Sequence, residues 1–355
     1  MKTHIRLTRR EAIEIRGVGA AATILPTVIS AAKSPPFPNG AVIRTILKDL
    51  PPSALAGKAT LFHEHLSIDL PYFGPPSSTP PPPPATADVN YIIGEIRIAG
   101  QEGVGCIVDG GHRDMGRSLD HLKQIANSTP VHIVASGGYY MQRVYPPDVA
   151  SRNEDQIAEG LAHEAQENRY GALGEIGENP DAAMSDEERK VFRAVGKAHL
   201  RTNLPIFTHN AYGTGPDVPR DAGLRQLDVL EAVGVKPQRV VIGHSCCLDD
   251  PTADIIKQIA KRGAYVGFDR VTGGRVPDAK KVVMIQAFLD AGYVDRLLIC
   301  SDFSGLRSLA RPGYGNSLTV FLPLLRQAGI KEEMLHSIMY DNPRRFLAFV
   351  PRKVA

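Results

Sequence analysis

Short apolar stretches alternate with amphipathic stretches along most of this chain. The apolar stretches are four to six residues long, as is typical of buried strands. Val89–Glu102, Asp254–Lys261 and Lys280–Ala291 carry apolar residues at helical spacing. Ser185 and Glu188 have the spacing of a capping box, which predicts a helix over residues 185–201. The eight predicted strands are Thr60–His63, Cys106–Asp109, His132–Ser136, Ala172–Ile176, Pro205–His209, Val240–His244, Ala264–Asp269 and Leu297–Asp302.

This alternation predicts a parallel sheet, and eight strand–helix units are the signature of a (β/α)8 barrel. About 320 residues follow residue 32, enough for one such barrel as a single domain over residues 33–355. A doubly wound open sheet is the structural alternative. Ala41–Leu47 predicts a short entry strand. The proline-rich run Pro75–Pro84 predicts an exposed loop on the side where the first barrel strand ends.

The N-terminus has the features of an export signal. Arg9 and Arg10 form a twin-arginine pattern, and an uncharged, largely apolar run extends from Gly17 to Ala32. This run is shorter than the roughly 20 residues that span a bilayer. We therefore predict a signal peptide over residues 1–32, a partnership with the twin-arginine export machinery and a periplasmic or secreted mature protein. An N-terminal amphipathic helix that stays attached is the alternative.

Charge and cysteine content narrow the range of partners. The whole chain carries a formal charge of +3, but residues 1–32 contain five basic and two acidic residues, so the remainder is close to neutral. No basic stripe predicts nucleic-acid binding, and no second long apolar segment predicts a membrane span. The four cysteines lie in or beside apolar runs, which favours buried free thiols. A small-molecule substrate is the expected partner, and a homodimer is possible.

Metal-type residues stand at the ends of several predicted strands. His63 and His65 are two apart at the end of the first strand, so both side chains would point to one face and could share a divalent metal. In a (β/α)8 barrel the C-terminal strand ends meet at one face, where active sites are built. Five predicted strands bring potential ligands to that face: His63, His65, Glu175, His209, His244 and Asp302.

Each of these residues has an ordinary structural interpretation when taken alone. A histidine at a strand end often only satisfies hydrogen bonds, Glu175 could form a salt bridge, and Asp302 could cap a helix. The joint pattern is harder to explain in this way. A carboxylate buried within the fourth strand costs several kcal/mol unless it is paired or metal-bound. We therefore interpret the six residues as one metal site.

The same residues carry a resemblance to the amidohydrolase superfamily and, more closely, to its phosphotriesterase-like branch. The resemblance extends over about residues 40–350. The segments that carry it are Thr60–Leu66, Val104–Tyr140, Gly243-His244-Ser245, Gly267-Phe268-Asp269-Arg270, Ser301-Asp302 and Asn342-Pro343.

The resemblance implies two divalent metal ions per chain, with zinc expected. His63, His65 and Asp302 would bind the more buried ion, and His209 and His244 the other. An anionic residue on the fourth strand would bridge both ions. That residue is commonly a carbamylated lysine in this branch, whereas this chain has Glu175 in the same register, as some members do. Glu178 is the competing bridge candidate.

The resemblance also implies hydrolysis by a water that the two metals share and activate. Asp302 would accept its proton, and Glu175 would hold the metals together. Tyr139 and Arg270 are the expected substrate contacts. The expected bond is ester-like, with a lactone first, an amide next and a phosphotriester third. A deaminase with one metal and a non-catalytic metal-binding barrel are the alternatives.

Overall fold

The computed structural model describes residues 37–71, 82–180, 183–210, 212 and 218–352. Residues 37–355 form one compact unit. The predicted signal peptide over residues 1–32 and most of the proline-rich run lie outside the described residues. Within those residues, no helix is both long enough and apolar enough to cross a bilayer.

All eight predicted barrel strands are present, and they follow a two-stranded hairpin of β1 (Ile43–Arg44) and β2 (Asp49–Leu50). The expected entry strand Ala41–Leu47 is therefore shortened to two residues, because the chain turns back at residues 45–48. The barrel strands are β3 (Ala59–Glu64), β4 (Val104–Asp109), β5 (His132–Gly137), β6 (Ala172–Gly177), β7 (Ile206–His209), β8 (Val240–Ile242), β9 (Tyr265–Phe268) and β10 (Leu297–Ile299).

Neighbouring barrel strands pair in parallel, in the order in which they follow along the chain. The two outermost strands then meet through the residues just beyond their ends. Asp302 N donates to His63 O at 3.3 Å, and His65 N donates to Phe303 O at 2.9 Å. The fold is thus the (β/α)8 barrel that the sequence predicts, and the open doubly wound sheet is excluded.

Helices cover the outside of the barrel. The helix α5 begins with the predicted capping box, in which Ser185 Oγ accepts from Glu188 N and Glu188 Oε2 accepts from Ser185 N. The helices are α1 (Val89–Gln101), α2 (Leu119–Ser128), α3 (Asp148–Ser151), α4 (Glu154–Glu167), α5 (Asp186–Thr202), α6 (Ala222–Ala232), α7 (Asp254–Lys261), α8 (Asp278–Asp290), α9 (Leu322–Gln327), α10 (Glu332–His336) and α11 (Asn342–Leu347).

The hydrophobic core lies between the strands and these helices. The barrel strands are buried along almost their whole length, which explains why their sequences are nearly continuous apolar runs. Cys106, Cys246 and Cys300 are buried free thiols, as expected, and Cys247 is half-buried. The strand ends are less regular than predicted. The strand β8 stops at Ile242, because His244 turns the chain with a φ of +50°.

Asn342 connects helix α11 to the start of strand β10 by hydrogen bonds, and its replacement tests how much this connection stabilises the fold. Its Nδ2 donates to Val294 O and Leu297 O, both at 2.8 Å, and the side chain is buried. Asn342→Ala leaves two carbonyls without a donor, so we expect the free energy of unfolding to fall by about 2 kcal/mol in chemical denaturation. Asn127→Ala removes an exposed amide–carbonyl bond and serves as the control. Equal losses in both variants would contradict this account.

Candidate metal centre

The six predicted ligand residues converge at the C-terminal end of the barrel. His63 and Glu175 lie within strands β3 and β6, and His209 is the last residue of β7. His65, His244 and Asp302 follow β3, β8 and β10 within three residues. All but Asp302 have their residue surface at least 95% buried, and the Asp302 side chain is only 12% exposed.

The Glu175 carboxylate lies at the middle of this cluster. Its Oε1 is 3.2 Å from His65 Nε2. Its Oε2 is 3.2 Å from His63 Nε2 and 3.1 Å from His209 Nδ1. His244 Nε2 is 3.6 Å from the same oxygen. One buried carboxylate therefore meets a ring nitrogen from each of four histidines, which come from three different strands of the barrel.

The charge of Glu175 is stabilised by these rings. Burial disfavours the ionised form, but the imidazoles of His63 and His209 hold the pKa of Glu175 well below its usual range. Burial and the charge of His244 lower the pKa of His209 to about 4, which keeps this ring neutral. Burial opposes protonation of His65 as well, but its hydrogen bond to Asp302 and the charge of Glu175 raise its pKa to about 9. A metal cation would displace that proton.

Asp269 fixes the orientation of two of the four rings. Its Oδ2 lies 3.0 Å from His63 Nδ1, and its Oδ1 lies 3.0 Å from His244 Nδ1. Burial raises its pKa, but the charge and hydrogen bond of His244 lower it to about 2, so Asp269 is ionised and can only accept. Each Nδ1 must then carry the hydrogen, which leaves Nε2 of both rings available as a metal ligand.

Asp302 is held in position by the residues around it. Its Oδ1 is 3.1 Å from His65 Nε2, and its Oδ2 is 3.0 Å from Arg270 Nε. Burial raises its pKa, but the charge of Arg270 and the hydrogen bond from His65 outweigh burial and hold the pKa well below its usual range. Its backbone has a φ of +50°, which is uncommon for a residue with a side chain. An arrangement of this kind persists only where the surroundings enforce it.

Glu64 holds the backbone on both sides of Asp302 in this conformation. Glu64 stands between His63 and His65 in the sequence, and its buried carboxylate accepts from Ser301 N at 3.0 Å and from Phe303 N at 2.6 Å. These two amides stand on either side of Asp302. Burial raises the pKa of Glu64 to about 7, although these hydrogen bonds favour its ionised form.

The donor set fits two divalent cations. His244 Nε2 and His209 Nδ1 face each other at 2.7 Å, a contact that a shared proton or a cation must relieve. Imidazole nitrogens and carboxylate oxygens are ligands that zinc accepts. The described residues contain two groups that share Glu175 and whose potential ligand atoms lie within 4.8 Å of one another. They are His63, His65, Glu175 and Asp302, and Glu175, His209 and His244.

The centre opens into a cavity of about 630 Å³. His65, Glu175, His209 and Asp302 form part of its lining. Tyr140, Met115, Arg270 and Arg311 surround them, together with Pro82–Pro84. The described end of the proline-rich run therefore lies on the active-site side, where the sequence predicts it.

Of the two predicted substrate contacts, Arg270 lines this cavity and Tyr139 does not. The Tyr139 hydroxyl accepts from Arg152 Nη2 at 2.8 Å, in a separate small depression. Tyr140 takes the place beside the centre, with its hydroxyl 3.3 Å from His209 Nδ1. The difference arises at Gly138, whose φ of +146° turns the chain so that the strand alternation no longer applies.

Sequence reasoning did not assign roles to Glu64, Asp269, Tyr140 or Arg311. Asp269 follows strand β9 directly, so its strand-end position was a usable signal. The structural role of Glu64 was not predicted, because the histidines on both sides of it in the sequence were the more obvious candidates. Glu178, the competing bridge, is buried but belongs to neither of the converging groups among the described residues.

A parallel (β/α)8 barrel with histidine and carboxylate ligands at its C-terminal end is typical of metal-dependent hydrolases. The phosphotriesterase family model matches residues 43–347, and the chain belongs to that family. The resemblance seen in the sequence is thereby confirmed.

Relatives with similar sequences match most of the chain. It is 32% identical over 297 residues to the phosphotriesterase homology protein of Escherichia coli, covering 81% of this chain and 97% of that protein. It is 28% identical to an aryldialkylphosphatase of Saccharolobus solfataricus, covering 81% and 94%. It is 24% identical to an N-acetyltaurine hydrolase of Xenopus tropicalis, covering 86% and 98%.

Solved structures agree with this assignment. The Escherichia coli phosphotriesterase homology protein, solved with phosphate in its active site, superposes with a TM-score of 0.71 and 29% identity over 82% of this chain and 99% of its own. A resiniferatoxin-binding protein of Rhodobacter sphaeroides superposes with a TM-score of 0.76 and 28% identity over 87% and 95%. The named hydrolases among the relatives support a hydrolase, and the family is binuclear and metal-dependent.

Replacement of Glu175 tests which carboxylate joins the two ligand groups. Glu175→Ala should lower the metal content measured by elemental analysis from two ions per chain toward one or none, because both groups lose their shared ligand. Glu178→Ala is the matched control, and we expect it to keep both ions. Circular dichroism would establish that each variant is folded. If Glu175→Ala kept two ions and Glu178→Ala lost one, the bridge would belong to Glu178.

Proposed function

We propose that this protein is a binuclear metal-dependent hydrolase that opens an ester-like bond in a small molecule, with a lactone as the first substrate class. The observation that carries the proposal is the pair of ligand groups sharing Glu175 at the floor of a cavity lined by Tyr140 and Arg270. Zinc is the proposed metal, because histidine and carboxylate ligands suit it.

Two bound divalent ions would lower the pKa of a water to near neutrality and polarise the carbonyl oxygen under attack. Asp302 is the proposed acceptor of that water's proton, because it belongs to the ligand group around Glu175 and also lines the cavity. Arg270 Nε contacts Asp302 Oδ2, and this contact fixes the orientation of the carboxylate.

Tyr140 supplies a hydrogen-bond donor on the substrate side. Burial and the charge of Glu175 raise its pKa well above the usual range, so the phenol stays protonated. The sequence predicts a substrate contact of this kind at Tyr139. Tyr140 provides it here and, with Arg270, favours a carbonyl substrate.

An amide is the second candidate bond. Several relatives are named N-acetyltaurine hydrolase, and they match up to 86% of this chain. A phosphotriester is the third, supported by the relative named aryldialkylphosphatase. A non-catalytic metal-binding barrel is the alternative from a different class. It would bind two metals and hydrolyse none of these compounds.

A hydrolysis screen tests the proposal. Zinc-reconstituted protein would be assayed with neutral and carboxylated γ-lactones, N-acyl amino acids and aryl phosphotriesters, and we expect the highest kcat/KM on a lactone. Asp302→Asn should lower kcat on the best substrate by about 10²-fold or more, because the proton acceptor is lost. Much of the metal should remain bound, since four histidines and Glu175 are intact.

Asp290→Asn provides the control, because Asp290 is an exposed residue at the end of α8, far from the strand ends in the fold. Near-normal turnover by Asp302→Asn would refute the proton-accepting role. A faster reaction with N-acyl amino acids would transfer the proposal to amide hydrolysis, and no hydrolysis at full metal loading would favour the binding protein.

We further propose that residues 1–32 direct export by the twin-arginine route. The support is the sequence alone, with Arg9 and Arg10 ahead of an uncharged run. Lysine replacement of both arginines should abolish export, measured as the share of protein in the periplasmic fraction. Lysine replacement of Arg6 and Arg16 keeps the same total charge and should leave export intact. Normal export of the first variant would exclude this route.

A further inference from the structure

Two arginines stand on the same side of the cavity, next to Asp302. Arg270 follows β9 and pairs with the Asp302 carboxylate. Arg311 comes from the loop after β10, and its Nη2 donates to Asp302 O at 3.0 Å and to Ser301 O. Both side chains line the cavity above the candidate metal centre.

The guanidinium of Arg311 is held in one place, and only its Nη2 nitrogen donates to described residues. Its Nη2 is fixed by the two backbone carbonyls, and its Cζ lies 5.1 Å from the centre of the buried Phe303 ring. Among the described residues, none accepts a hydrogen bond from its Nε or Nη1. Because Nη2 donates to both carbonyls and Nε is buried, Nη1 is the nitrogen that can donate a charge-assisted hydrogen bond to a carboxylate in the cavity.

The charges around the cavity also favour an anion. Its acidic lining consists of Asp69, Glu175 and Asp302, and the last two belong to the ligand groups. Two bound divalent cations would, together with Arg270 and Arg311, outweigh these three carboxylates. A cavity with an excess of positive charge raises the local concentration of anionic substrates.

Much of the remaining lining is apolar and consists of Ile68, Leu70, Pro71, Met115 and Pro82–Pro84. Ile68, Leu70 and Met115 belong to one hydrophobic cluster. The cavity therefore combines two arginines, the candidate metal ligands and an apolar surface. A molecule that matches all three has a carbonyl to be attacked, an anionic group and a hydrocarbon body.

We propose that the substrate is an ester or lactone that carries a carboxylate, and that Arg311 binds this carboxylate. The inference rests on the proposed hydrolase function and adds the charge of its substrate. Arg311 is then a specificity-determining residue, and its hydrogen bonds to the two carbonyls serve to hold the guanidinium in place.

A matched pair of substrates separates charge recognition from hydrolysis itself. The pair is 5-oxotetrahydrofuran-2-carboxylate and its methyl ester, which offer the same lactone ring with and without the charge. With zinc-loaded wild-type protein we expect kcat/KM for ring opening to be about tenfold or more higher for the carboxylate, as one charge-assisted hydrogen bond provides.

Arg311→Gln should reduce that preference to about one, mainly through KM for the carboxylate. Arg307→Gln is the matched control on the same loop, because Arg307 pairs with Glu95 and is not part of the cavity lining. It should keep the wild-type preference. A purely structural role of Arg311 would lower kcat/KM for both substrates equally and leave the ratio unchanged, and that result would overturn the inference.

Direct binding gives a readout that does not depend on turnover. Glutarate, titrated calorimetrically into zinc-loaded protein, should bind about tenfold more weakly to Arg311→Gln than to the wild type or Arg307→Gln. Equal Kd values in all three would refute recognition by Arg311, even if lactones are hydrolysed. Hydrolysis of neither lactone would instead count against the proposed function, and the glutarate titration would still decide the role of Arg311.

Discussion

A single buried carboxylate, that of Glu175, is the constraint on which the rest of the centre depends. An ionised group that is 99% buried is unstable unless cations or hydrogen-bond donors surround it. Four imidazoles provide that surrounding, and each comes from a strand end that the barrel brings to the same place. The convergence of these strand ends at one face of the barrel is what meets this requirement.

The contacts that close the barrel between β3 and β10 also hold Asp302 in place. Strands β3 and β10 meet where Glu64 accepts from the amides of Ser301 and Phe303, and His63 O accepts from Asp302 N. Any shift between these two strands would move Asp302 relative to His65, and a displacement of even 1 Å at a reacting group is costly. The contacts between β3 and the residues after β10 therefore affect both the stability of the fold and the geometry of the site.

The sequence allowed the fold and the metal-type residues to be predicted because both follow regular rules. Buried parallel strands are short apolar runs, and their C-terminal ends meet at one face. On the substrate side, Arg270 was predicted and lines the cavity, but the other lining residues could not be predicted in the same way. The chain turns at Gly138, which has a φ of +146°, and after this turn Tyr140 lines the cavity whereas Tyr139 does not. Arg311 lies in a loop without periodicity, and only the three-dimensional path of that loop brings it to Asp302.

The candidate metal ligands and the proposed substrate-binding residues therefore meet at one residue. Asp302 offers Oδ1 to the ligand ring, Oδ2 to Arg270 and its backbone oxygen to Arg311. A substrate anion held by Arg311 would thus lie at a fixed place relative to the proton acceptor. Arg311 contacts only the backbone of Asp302, not its carboxylate. Substitutions in the loop after β10 can therefore change which substrate group is recognised without changing the candidate metal ligands. Differences in specificity between relatives with the same centre are expected to arise in this way.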